Sequence, residues 1–92
     1  MRKMYAIYDV VAETCFPQVL LFAADGAAVR FFEDVCKDVS TDVGKHPGDY
    51  QLVAIGELSD NGVVIPAYGG VVVVATGLQW MSNRGPALEA SN

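Results

Sequence analysis

The sequence is short of charge, of cysteine, of histidine and of uninterrupted hydrophobic length. Charged residues make up 18 % of its 92 positions while apolar residues reach 52 %, against about 25 % charged in an average soluble domain. That leaves little charge to cover a surface, and a buried subunit interface is the expected use of the apolar surplus. Positive charge is scarcest: six Lys and Arg stand against eleven Asp and Glu, for a net charge of −5. Such a chain as a whole repels nucleic acid and acidic membranes. Two cysteines, Cys15 and Cys36, are too few for a disulfide scaffold and point to a reducing compartment. One histidine with two distant cysteines gives no zinc spacing, and Asp38, Asp42 and Asp49 lack the closing Glu of an EF-hand loop. Gly69-Gly70 lacks the following helix and Lys of a phosphate loop. No metal or other cofactor is expected. The most apolar window, 63–78, is interrupted by Pro66 and three glycines and falls short of the ~20 residues of a spanning helix. The first residues, Met1-Arg2-Lys3, soon meet Asp9 and Glu13 without the apolar core of a signal peptide. No membrane segment is expected.

What is present is organised around residues 25–52. Asp25 is placed to cap a helix, and 25–39 reads as an amphipathic run. Ala28, Phe31, Phe32, Val35, Cys36 and Val39 share one face; Arg30, Glu33, Asp34, Lys37 and Asp38 fall largely on the other. Pro47, within 44–49, stops the helix and pushes His46 toward an extended conformation. Five β-type runs surround this helix. The first, 4–8, carries apolar residues on both alternating faces, as a central strand does. The second, 14–22, has Pro17 breaking its first half. The third, 50–57, is followed by Asn61-Gly62, the pair that supplies a type I′ hairpin turn, and then by a fourth at 63–65. Gly69-Gly70 offers another turn before the valine run 71–75, whose unbroken valines argue burial on both faces.

The pattern predicts an α+β fold: a single small domain with a four- to five-stranded, mainly antiparallel sheet and one helix packed on one face, in the order β-β-α-β-β-β. The first two strands form a hairpin and the last three a meander. The domain covers 1–80, and 81–92 is expected to be a flexible C-terminal tail. One helix covers one face, so the other needs a partner. A second subunit is the simplest, with Val71, Val72, Val73 and Val74 as candidate interface residues in a dimer or higher homo-oligomer.

Chemistry is harder to find. His46, with Asp49 three residues on, invites a Cys–His catalytic reading, but His-Pro in a turn is more often a backbone device, and no enzyme is expected. Arg30 reads as a surface pair with Glu33 or Asp34 rather than a phosphate contact. Tyr5, Tyr8, Phe16, Phe22 and Tyr50 would make a stacking platform for single-stranded DNA if several shared an exposed face, flanked by Arg2, Lys3 and Lys45.

The blocks Tyr5-x-Ile7-Tyr8-Asp9, Ala28-Val29-Arg30-x-Phe32, His46-Pro47-x-Asp49-Tyr50-x-Leu52, Ile55-Gly56-Glu57 and Asp60-x-Gly62, in this order, resemble the small nonstructural protein of gokushovirus-type microviruses (Microviridae), phages with single-stranded DNA. The resemblance spans roughly 5–62. It implies a helper of phage propagation in the host cytoplasm, absent from the mature virion and linked to DNA replication or DNA packaging through DNA binding. No catalytic motif comes with it. It further implies that Phe32 points into the core, Gly56 and Gly62 shape turns or bulges, and Pro47 fixes the helix-to-strand connection.

Two functions follow. In one, a single-stranded-DNA-binding accessory protein uses Arg2, Lys3, Tyr5, Tyr8, Lys45 and Tyr50. In the other, a homo-oligomeric module binds a phage or host protein and never touches DNA. Net negative charge opposes the first, because DNA affinity draws on cations that neutralise phosphates; the apolar surplus favours the second.

Overall fold

Three strands, two helices and three more strands follow one another along residues 1–83, which the computed structural model describes. In chain order they are β1 (Arg2–Asp9), β2 (Thr14–Cys15), β3 (Leu20–Phe22), α1 (Asp25–Lys37), α2 (Asp42–Lys45), a 3-10 turn (Pro47–Asp49), β4 (Tyr50–Leu58), β5 (Val64–Pro66) and β6 (Val72–Thr76). Residues 77–83 are helical, here α3. The sheet is antiparallel throughout, and the fold is α+β.

β1 and β4 are the longest and most β-prone runs, and they pair along their whole lengths, from Arg2 opposite Leu58 to Asp9 opposite Tyr50. Each then carries an outer row made of two collinear pieces. β2 and β3 both lie against β1, and β5 and β6 both lie against β4, so six strands fill four rows. Pro17 has no N–H to give to a ladder and falls in the break between β2 and β3, while Phe16 still donates its N–H to the Ile7 carbonyl at 2.8 Å.

The other outer row corrects the expected meander. Ala67 donates to the Ile55 carbonyl at 3.0 Å and Gly70 to Ala67 at 3.1 Å, with Gly69 and Gly70 at φ 78° and 104°. The chain makes a short excursion there and rejoins the same edge of β4, so β6 never pairs with β5. A Gly-Gly turn signals left-handed backbone and says nothing of whether the chain reverses. The hairpin between β4 and β5 forms as expected but with a different turn. Gly62 alone has positive φ, 89°, in a three-residue loop closed by Gly62 N–H to Ser59 O at 3.0 Å and Ser59 N–H to Val63 O at 2.9 Å. The Ser59 hydroxyl, bonded to Asn61, also accepts from the Val63 N–H.

α1 buries Ala28, Phe32 and Cys36, one residue per turn. The buried stripe is narrower than the sequence pattern: Phe31 and Val39 are exposed, and the helix ends at Lys37. Asp25 does not cap it. The capping position belongs to Ala24, whose side chain cannot accept a bond, and the Asp25 carboxylate is engaged by Tyr5 instead. A second helix was not anticipated at 42–45, where Thr41 Oγ1 accepts the Gly44 N–H at 3.0 Å and Val43 is buried. Pro47 begins the 3-10 turn that leads into β4, so it fixes the connection as the resemblance implies. At the other end, Thr76 Oγ1 accepts the Gln79 N–H at 3.1 Å at the start of α3. Residues 81–83, placed in a loose tail by sequence, are therefore helical; the rest of that expected tail, 84–92, lies outside the described residues.

The core lies between the helices and one sheet face: Tyr5, Ile7, Tyr50 and Leu52 from the sheet, Ala28, Phe32, Cys36 and Val43 from the helices. Tyr5 meets Phe22 edge-on at 6.1 Å, and Trp80 of α3 packs against the rim. Phe32→Ala removes a fully buried ring and is expected to cost about 3–5 kcal/mol in a denaturant titration, whereas Phe31→Ala, at a half-exposed position, costs far less. Equal losses would mean that the helix phase is wrong.

Candidate nucleic-acid and subunit interface

Alternation along β1 sends Tyr5 and Ile7 toward the helices and Met4, Ala6 and Tyr8 to the opposite side. On that side the register brings Ala6, Val53 and Val73 into one line and Tyr8 between Cys15 and Gln51. A shallow, almost wholly apolar groove lined by Tyr8, Cys15, Gln51, Val53, Val71 and Val73 crosses the rows. No helix among the described residues packs on it, yet Ala6 and Val53 at its centre are buried and Tyr8 and Gln51 are half-buried, so it is open mainly at its outer rows.

The groove runs out at β6, an outer row. Expected to be buried on both faces, the valine run is largely open within the single chain: Val71, Val72 and Val73 are 62, 54 and 50 % exposed, and only Val74 packs against the core. The reason is topological. Because β6 returns to the free edge of β4, no strand among the described residues lies outside it. Residues 63–83 also contain no charged side chain, so the whole of β5, β6 and their connection is neutral on a chain of net charge −5.

The residues nominated for DNA contact do not form one surface. Tyr5 is fully buried, its hydroxyl donating to Asp25. Tyr50 is buried with its ring 5.5 Å from that of Phe16. Neither can offer a face to a base, which corrects their assignment to a stacking platform. Tyr8 is half-buried on the uncovered face. Arg2 and Lys3 are exposed at the start of β1. Lys45 is exposed just before the turn that leads to Tyr50, which pairs with Asp9; it therefore stands at the other end of β1, on the order of 20 Å away. Two cationic groups at the Arg2 end are engaged by acids: Lys3 Nζ lies 3.5 Å from Asp25, and the Met1 amine 3.0 Å from Asp60. Arg30 forms no ion pair among the described residues, contrary to its expected pairing with Glu33 or Asp34.

One aromatic escaped the sequence reading. Tyr68 is wholly exposed on the excursion between β5 and β6, above a hollow shared with Lys3, Asp25 and Glu57. An aromatic directly before a Gly-Gly turn was the available signal. Among the described residues no His, Cys, Asp and Glu cluster is placed to hold a metal ion, and no helix is long and apolar enough to cross a membrane.

Electrostatics sharpen the contrast between the two ends. Burial, reinforced by the bond to Asp25 and its charge, pushes the Tyr5 phenol up to about 12. The same bond, aided by Lys3, holds the Asp25 carboxyl below its ordinary value against a smaller desolvation effect. Tyr50 is also raised, by burial and then by the charges of Asp9, Asp42 and Asp49. The Lys45 end is thus crowded with carboxylates that repel phosphate.

A family model described as phage ORF5 protein matches residues 2–80. The chain belongs to the phage ORF5 protein family. No curated protein and no solved structure matches it. The ORF5 match continues past the blocks read at 5–62 and takes in β5, β6 and the start of α3, so the neutral edge is part of the ORF5 unit and not an appendage to it.

The Tyr5 phenol gives this ORF5 protein a testable alkaline limit. An unfolded phenol ionises near 10.0 and the folded one near 12, so the folded state holds the proton longer. Stability from this group is complete below pH 10 and is lost as pH rises toward 12. Chemical denaturation at pH 9, 10 and 11 should show a steeper decline for wild type than for Tyr5→Phe; parallel curves would mean that Tyr5 is not the group responsible.

Proposed function

We propose that this chain is a nonstructural accessory protein of a single-stranded-DNA phage of the gokushovirus type, working in the host cytoplasm during genome replication or packaging and absent from the mature particle. It acts by binding, not by catalysis, and needs no cofactor. Its working form is a homo-oligomer, a dimer or higher, that engages a phage or host protein. The ordered sequence blocks and the ORF5 membership support the phage setting. The observation that carries the assembly is the neutral outer strand β6, whose Val72 and Val73 stand half-exposed at the end of an apolar groove, since an open, neutral strand edge recruits another chain.

Single-stranded DNA as a direct ligand is a second reading, and the position of Tyr68 favours it. That ring is free to stack on a base, worth about 1–3 kcal/mol, and lies at the same end as Arg2 and Lys3. Two cations per subunit support a single-strand salt slope of only about −1.4 each, so binding would depend on several subunits holding one strand. Fluorescence anisotropy with a labelled oligonucleotide across a salt series separates the readings. DNA contact predicts binding near 50 mM salt at tens of micromolar protein, weakened by Lys3→Glu and by Tyr68→Ala. Absence of binding by the wild-type oligomer leaves the protein-interaction reading alone.

A further inference from the structure

We propose that two copies of this chain join by pairing β6 with β6, antiparallel across a two-fold axis normal to the sheet. Two four-row sheets then become one, with both sets of helices on the same side. This deepens the homo-oligomer reading and rests on it.

Each candidate edge can be judged by what guards it. Natural sheets protect open edges with proline, charge, shortness or interruption. The edge formed by β2 and β3 has all but charge: its strands are two and three residues long, and Pro17 falls between them. β5 is three residues long and ends on Pro66. β6 has five residues, Val-Val-Val-Ala-Thr, with neither proline nor charge. Among the described residues it pairs with β4 alone, so its outer N–H and C=O groups can continue a ladder.

Charge selects the occupant. An acidic chain at −5 repels its own copy wherever carboxylates face each other, and the described acids all lie outside 63–83. At β6 a second copy brings an equally neutral strand, so self-pairing meets no repulsion. A two-fold axis also sets β-branched residues opposite β-branched residues, the cross-strand contacts that strands favour. With the axis at Val73, that residue meets its counterpart on the groove side, and Val72 meets Val74 of the second copy on the helix side, where both border the Lys3 and Tyr68 hollow. Pairing further lays the two apolar grooves side by side as a single floor for a third partner.

Light scattering on wild type should give twice the 9.8 kDa mass of the chain. The double variant Val72→Lys, Val73→Lys places cations on two half-exposed positions and should fall to the monomer mass with its circular dichroism unchanged. Cys15→Arg, at an exposed position in the opposite outer row, across β1 and β4 from β6 at the other end of the groove, should remain dimeric. Hydrogen exchange on wild type adds a measurement independent of any variant: amides of 72–76 should slow several-fold on going from dilute to concentrated protein. A monomeric wild type overturns the oligomer reading and this inference together. A wild-type oligomer that survives the lysine pair but dissociates with Cys15→Arg, or shows no concentration-dependent slowing at 72–76, keeps the oligomer and overturns the edge.

Discussion

Pairing of β1 with β4 joins two strands separated by residues 10–49, and every other element takes its place from it. Closing a loop of that length costs entropy that rises only slowly with length, and the cost is offset where Tyr5, Ile7, Tyr50 and Leu52 present one apolar face to Phe32 and Cys36. The bulge at Ile55, between the Tyr5–Ala54 and Met4–Gly56 pairs, shifts the phase of β4. Ala54 thereby faces the helices while Gly56 lies close against the Ile65 carbonyl, where a Cβ would collide. The outer rows need only attach to this pair, which is why both can be broken in the middle.

The same arrangement divides the surface by charge. Most carboxylates stand on the helices, their connections and the Tyr50 end of the sheet, with Glu57 and Asp60 at the Arg2 end, while 63–83 is neutral. An uncharged outer strand thus stands on a chain of net negative charge. The few cations are spread along the molecule, with Lys3 held by Asp25 and the Met1 amine by Asp60.

Much of this was legible in the sequence because it depended on local chemistry. Helical spacing placed Ala28, Phe32 and Cys36 inward; β-branched and aromatic runs marked β1 and β4; the Asn61-Gly62 pair located the hairpin; Pro47 marked the end of the helical segments. Low charge and an unbroken valine run announced an unsatisfied apolar surface. These signals act over a turn or two of chain, where residue type and backbone preference coincide.

Other features were decided only in three dimensions. Tyr5 and Tyr50 carry the same side chain as Tyr68, yet burial under α1, α2 and Phe16 removes two of them from any ligand and leaves the third in solvent. Asp25 had the chemistry of a helix cap but met the Tyr5 hydroxyl from a strand distant in sequence. The valines were read as doubly buried, and Gly69-Gly70 as a reversal. Whether β6 lands beside β5 or returns to β4 depends on which edge of β4 is still open, a property of the assembled sheet that no local stretch of residues encodes.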